Sequence, residues 1–125
     1  MSARKPEDCD LMLVDALGNG DLEAALALYE PNASFVLDSG QVVTGLPAIR
    51  EVMQGFLALK PKFTMEVKAV PNGDENIALL RGKWNLSGTG PDGKPMTMSG
   101  NSTEVVRRQP DGTWKFIIDN PRGAD

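Results

Sequence analysis

The sequence contains no histidine. That absence removes the usual general base near neutral pH, the Ser-His-Asp and Cys-His nucleophile systems, and nearly every transition-metal site. Proton chemistry in such a chain falls to carboxylates, lysine, the single tyrosine Tyr29 or a bound cofactor, and no cofactor or metal is expected. Cysteine is almost as scarce. Cys9 stands alone, so it cannot close an internal disulfide, and it belongs to no zinc pattern of paired Cys and His, which makes a cytoplasmic location the expectation. Long apolar runs are missing too. None approaches the ~20 residues needed to span a bilayer, and residues 1–8 lack the apolar core of a signal peptide, so no membrane role is expected. Positive charge is in deficit, with 13 Lys+Arg against 17 Asp+Glu and a formal net charge of -4. No basic field is left for the phosphate contacts that dominate nucleic-acid affinity, and nucleic acid is set aside as a partner.

What is there describes one ordinary domain, residues 1–125, with 41% hydrophobic and 24% charged residues. A chain of this length buries roughly two-thirds of its unfolded surface on folding, enough for a core and one pocket.

Cys9, Met12, Leu13, Ala16 and Leu17 form one stripe of a helix that begins near Pro6-Glu7-Asp8, where acidic residues suit the N-terminal dipole. Gly18-Asn19-Gly20 ends it, and Asp21 caps a short second helix with inward positions Leu22, Ala25, Leu26 and Tyr29, stopped by Pro31. The run from Ala33 to Leu37 pairs with Gln41 to Thr44 across Asp38-Ser39-Gly40 as a small hairpin. Gly45, with Pro47 just inside, opens a third helix whose stripe is Ile49, Val52, Met53, Phe56 and Leu57. After Pro61 the period changes from 3.6 to 2. Strands are predicted from Phe63 to Ala69, Ile77 to Leu86, Met96 to Gln109 and Trp114 to Asn120, separated by turn residues at Asn72-Gly73, Gly88 to Gly93 and Pro110-Asp111-Gly112. The order gives an α+β domain, three helices covering one face of a mainly antiparallel sheet.

The stretch from Gly20 to Ala33, followed by Gly45-Leu46-Pro47-Ala48-Ile49-Arg50-Glu51, resembles the first half of the nuclear-transport-factor-2-like superfamily. The block from Ser102 to Trp114, ending in Asp119-Asn120-Pro121, is similar to its SnoaL-like and ketosteroid-isomerase-like bacterial members. The resemblance implies a cone-shaped, cystatin-like fold with a strongly curved sheet wrapped around the long third helix, a pocket at the open end, and homodimerisation through the sheet. It implies no single function, because this fold hosts isomerases, dehydratases, cyclases, hydrolases and non-catalytic binding or assembly domains. The ketosteroid isomerase pattern combines a tyrosine, an aspartate base and a protonated acid. Laid on this chain by motif, it falls near Leu13, on Leu37 (one residue short of Asp38) and on Glu104. Two of its three roles are vacant, and no efficient steroid isomerisation is expected.

Arg81 and Lys83 alternate with Leu80, Gly82 and Trp84, which turns Trp84 inward as a pocket wall or a plain core tryptophan. In the last hairpin two registers are open. A loop from Pro110 to Thr113 flanked by Gln109 and Trp114 sets Glu104 opposite Asp119 and Val106 opposite Ile117, whereas a type I turn with Gly112 as a bulge pairs Gln109 with Thr113 and sets Thr103 opposite Asp119. The resemblance favours Glu104 and Asp119 sharing the concave face. Carboxylates directly opposite would lie ~5 Å apart and form an acid/base pair that needs no histidine. The competing reading pairs Glu104 with Arg81, Lys83 or Lys115 and has Asp119 cap the strand end. Asp38 is either a third acid at the pocket mouth or a turn residue.

An inward Asp119 requires the alternating row Trp114, Phe116 and Ile118 to lie on the outer face, buried by a dimer partner. The expectation is therefore a domain that binds a small apolar ligand. Its catalytic candidates are Glu104, Asp119 and Asp38, its ligand contacts Trp84, Phe56, Met53, Tyr29, Val106 and Ile117, and its activity that of an isomerase or lyase. The alternative is a non-catalytic ligand-binding or association domain.

Overall fold

The computed structural model describes residues 2–125. The chain runs α1 (Asp8–Gly18), α2 (Leu22–Leu26), β1 (Tyr29–Val36), β2 (Val42–Thr44), α3 (Leu46–Leu57), β3 (Lys62–Pro71), β4 (Ile77–Thr89), β5 (Pro95–Arg108) and β6 (Trp114–Asn120). All six strands join one curved sheet in the order β2-β1-β6-β5-β4-β3. Neighbours are antiparallel except β1 and β6, which run parallel and bring the two halves of the chain together. No helix among the described residues is long and apolar enough to cross a membrane.

Strict alternation along β4 buries Ala78, Leu80, Trp84 and Leu86 and leaves Arg81 and Lys83 outside, which fixes the concave face. Ser102, Glu104 and Val106 on β5 follow the same face. Against it pack Cys9, Leu13, Ala16 and Leu17 of α1, and Ile49 and Met53 of α3. The Asp21 side chain accepts from the Ala24 backbone N–H at the start of α2, as the sequence predicts.

Two expectations are corrected. Tyr29 does not end the second helix: α2 stops at Leu26 and Tyr29 opens β1 opposite Phe116. The Phe116 backbone N–H donates to Leu28 O, so pairing with β6 overrides the helical stripe, and Pro31 falls in the irregular stretch between Tyr29 and Ser34.

The second correction concerns the last hairpin. Its turn is the tight one. Gln109 N–H donates to Thr113 O, Gly112 N–H donates to Gln109 O, and Gly112 takes φ +85°, a conformation that suits glycine. Arg108 then faces Trp114 and Val106 faces Phe116. The register shifts at Ile117, the unpaired extra residue of a β-bulge, so that Val105 faces Ile118 and Glu104 faces Asp119. Trp114 and Phe116 therefore lie inside the protomer, not on an outer face, and Asp119 lies inside with them. Of the predicted outward row only Ile118 is outside, 43% exposed.

Candidate active site

The open end of the cone is a cavity of about 50 Å³ between α1, α3 and the sheet. Leu13, Leu17, Phe35, Met53 and Trp84 form its buried walls, and half-buried Val14, Phe56, Phe63, Met65 and Pro121 surround its mouth. Ordinary ligand pockets measure roughly 300–1,000 Å³, so this cavity takes a small group as it stands and a larger ligand only by displacing mouth residues. Its polar lining consists of Asp10, Ser102, Glu104 and Asp119.

Each polar group is placed by a different element. Glu104 and Asp119 face each other across β5 and β6 because the bulge restores their pairing. Asp10 projects from the first turn of α1, where Asp10, Leu13, Val14 and Leu17 at i, i+3, i+4 and i+7 all line the cavity. Gly82 leaves space beneath it: a Cβ there would collide with the Met65 methyl and come 2.5 Å from the Ser102 hydroxyl and 3.6 Å from Asp10 Oδ2.

The Tyr29 hydroxyl donates to Asp119 Oδ2 at 2.5 Å, and the Ser102 hydroxyl donates to Glu104 Oε1 at 3.1 Å. Asp10 Oδ2 is buried without a partner on any described residue. Among the described residues, the groups that act most strongly on these carboxyls are acids and hydroxyls. Burial, then the charges of Asp119 and Asp10, push Glu104 up to about 12, so it keeps its proton and can donate toward Asp10. Burial raises Asp10 to about 7, opposed by the neighbouring Glu104 acid. Asp119, raised by burial but held back by the Tyr29 hydroxyl, reaches only about 6 and is the first of the three to ionise. The Tyr29 phenol itself is held well above its usual value by burial and by Asp119. The arrangement pairs a persistent acid with a carboxylate on one wall of an apolar cavity. Among the described residues, no group of three His, Cys, Asp or Glu side chains is disposed to hold a metal ion.

The sequence-predicted residues divide. Glu104, Asp119, Trp84, Phe56 and Met53 line the cavity. Tyr29 is buried behind it and reaches it through Asp119, Val106 is packed in the core, and Ile117 is the bulge residue; none of these three lines the cavity. Asp38 sits outside, its carboxylate 3.1 Å from Arg122 Nε. Trp84 is a wall: its indole N–H donates to Pro121 O at 2.7 Å, and the Arg122 guanidinium stacks 5.3 Å from its ring centre. Asp10 and Ser102 escaped the sequence reading. The available signal for Asp10 was an acid on the inward stripe of Leu13 and Leu17, masked by the ordinary preference of helix N-termini for acidic residues.

The sequence profile of the SnoaL-like domain matches residues 12–117. The chain belongs to the SnoaL-like domain family. Among curated proteins none matches it by sequence. Solved structures extend the likeness to the fold. A protein of Novosphingobium aromaticivorans provisionally named scytalone dehydratase superposes with a TM-score of 0.82 at 16% identity over 94% of this chain and 80% of that one. A ketosteroid isomerase-like protein of Erwinia carotovora atroseptica gives 0.75 at 15% identity over 91% and 89%. A Xanthomonas campestris protein provisionally named a calcium/calmodulin-dependent protein kinase II association domain gives 0.70 at 22% over 90% and 82%. At such identities the SnoaL-like chain shares a fold with these proteins, and its chemistry has to be argued from its own side chains.

Proposed function

We propose that this SnoaL-like domain binds a small, largely apolar carbonyl or hydroxyl compound in the open-end cavity and moves a proton on it, in an isomerisation or a dehydration. Asp119 is the base and Glu104 the acid. The observation that carries this reading is the contrast between two facing carboxyls: the hydroxyl of Tyr29 supports the ionised form of Asp119, while Glu104 is buried beside two other acids with Ser102 as its hydroxyl donor. Pairs of titratable groups whose surroundings push them apart are how one site supplies both acid and base near neutral pH. Asp38 enters as the partner of Arg122 beside the cavity mouth and takes no part in the proton transfer. Carbon-13 NMR titration of the carboxyl groups tests the assignment. Asp119 is expected to titrate near 6 while Glu104 stays protonated through neutral pH, and two carboxyls titrating in the ordinary range near 4 would sink it.

A second reading, self-association through the sheet, is favoured by one feature of the outer face. Val70, Leu79, Val105 and Ile118 lie side by side across β3, β4, β5 and β6, and Val70, Leu79 and Ile118 are 56%, 37% and 43% exposed. A homodimer burying this row is the expected form, with or without catalysis. Sedimentation at micromolar concentration checks it, and a monomer there contradicts it.

A further inference from the structure

The cavity floor is rich in acceptors and poor in donors. Asp10, Glu104 and Asp119 bring three carboxyls to it, while the Tyr29 hydroxyl is committed to Asp119 and the Ser102 hydroxyl to Glu104. Among the described residues on this floor, the proton retained by Glu104 is the one side-chain donor left, and Asp10, 1% exposed with Oδ2 unpartnered, is the group that needs it. A buried acceptor without a donor costs its full desolvation, on the order of 1–3 kcal/mol, so a ligand that takes the Glu104 proton for itself must offer Asp10 a replacement. An alcohol or phenol does both at one oxygen, accepting with a lone pair and donating its own hydrogen. A ketone or ether accepts without donating. A carboxylate adds a further negative charge to a floor that already holds three acids.

We propose that the cavity recognises a neutral hydroxyl, which inserts between Glu104 and Asp10, accepting from the Glu104 carboxylic acid and donating to the Asp10 carboxylate. Asp10 is thereby the specificity-determining residue of the site, and the ligand class is an apolar alcohol or phenol with its hydroxyl end pointing inward past Trp84 and Met53. A hydroxyl held there lies beside the proton that Glu104 carries and on the wall shared with Asp119. This inference rests on the open-end cavity being the ligand site, as proposed above.

Phenol, toluene and anisole are matched probes: the first donates and accepts, the second does neither, the third accepts only. Binding is measured by calorimetry on the full chain and on Asp10→Leu. The expected result is phenol binding about 10-fold or more tighter than toluene and anisole to the wild type, with the ratio collapsing to about 1 in Asp10→Leu. Equal binding of phenol and toluene to the wild type overturns the insertion while leaving the cavity as a ligand site. A phenol preference that survives Asp10→Leu also overturns it, because the hydroxyl then donates elsewhere. Failure of every probe to bind removes both this inference and the reading beneath it. Should Asp10→Leu not fold, the wild-type carboxyl carbon resonances decide. Asp10 and Glu104 signals that move with phenol and not with toluene support the insertion, and signals that respond alike to both refute it.

Discussion

Trp84 and Trp114 are each 6% exposed, yet their surroundings have nothing in common. Trp114 stands on β6 ahead of the bulge, inside the core cluster with Phe116, Tyr29 and the residues of α1, and its backbone N–H donates to Ala3 O. Trp84 stands on β4 outside that cluster, with one flank on the cavity and its ring held by a backbone carbonyl at Pro121 and a guanidinium at Arg122. The flat seat under its indole is Gly100, where a Cβ would come within 2.7 Å of the ring. The closed end, around Trp114, is held by packing into the core cluster although surface depressions border the ring, and the open end, around Trp84, by polar contacts beside the cavity. Burial by itself does not tell a core aromatic from a binding wall; the neighbours do.

The largest effect that can break this contrast is truncation of the two rings. Trp114→Ala is expected to cost about 3–5 kcal/mol, the usual range for deleting a packed aromatic. Trp84→Ala should cost distinctly less, because its partners are a guanidinium, a backbone carbonyl and the half-buried Phe63 ring, whereas Trp114 packs into the buried core cluster. Urea denaturation of both variants measures the difference, and equal losses would erase the distinction between the ends.

Acidity gives the next largest effect. Asp119 goes from 3.8 in the unfolded chain to about 6 when folded, and Asp10 from 3.8 to about 7. A folded value above the unfolded one means that their contribution is fully present below about pH 4 and is lost as pH rises through 6 to 7. For Asp119 the difference amounts to about 3 kcal/mol. Wild-type stability is therefore expected to fall by about that much more than that of Asp119→Asn between pH 4 and pH 7. A closed-end variant such as Trp114→Ala should lower the whole stability curve without altering this slope. Parallel curves for wild type and Asp119→Asn would show that the open end carries no such charge.

The smallest effect sharpens the picture at the mouth. Arg122 bridges Asp38 and Asp125, donates to Ser99 O and lies over Trp84, with its side chain 34% exposed. Partly exposed pairs and stacked cations contribute roughly 0–1 kcal/mol. Arg122→Ala should therefore lower stability by less than about 1 kcal/mol while increasing the solvent exposure of Trp84, read from its fluorescence in a Trp114→Phe background.

Most of the architecture was legible because it follows periodicity. The stripe of α3 and the alternation of β4 are each dictated by which residues must leave water, and the inward turn of Trp84 follows from the charges at Arg81 and Lys83. Tyr29 was misplaced because its position continues a helical stripe, and only β6, at the other end of the chain, draws it into a strand. The last hairpin presented a conflict between an apolar row and a carboxylate that could not share a face under strict alternation. The protein resolves it with the extra residue Ile117, a choice that local sequence does not announce. Asp10 was hidden by a rule that is sound for exposed helix starts; it took the approach of α1 to Gly82 and Ser102 to turn an ordinary N-terminal acid into part of a site.

The parallel pairing of β1 with β6 also bears on how the molecule comes into being. The β3, β4 and β5 meander joins neighbours in sequence and can zip from its turns, whereas Tyr29 and Asp119 are 90 residues apart. Closing so long a loop is entropically expensive and slow relative to local pairing. The hydroxyl that sets the acidity of Asp119 thus arrives only when both halves of the chain have met. A half-folded chain can possess the sheet, the helices and even Glu104 in its strand without possessing the acid/base pair, so appearance of the shifted Asp119 resonance during refolding would serve as a clock for the last step of assembly.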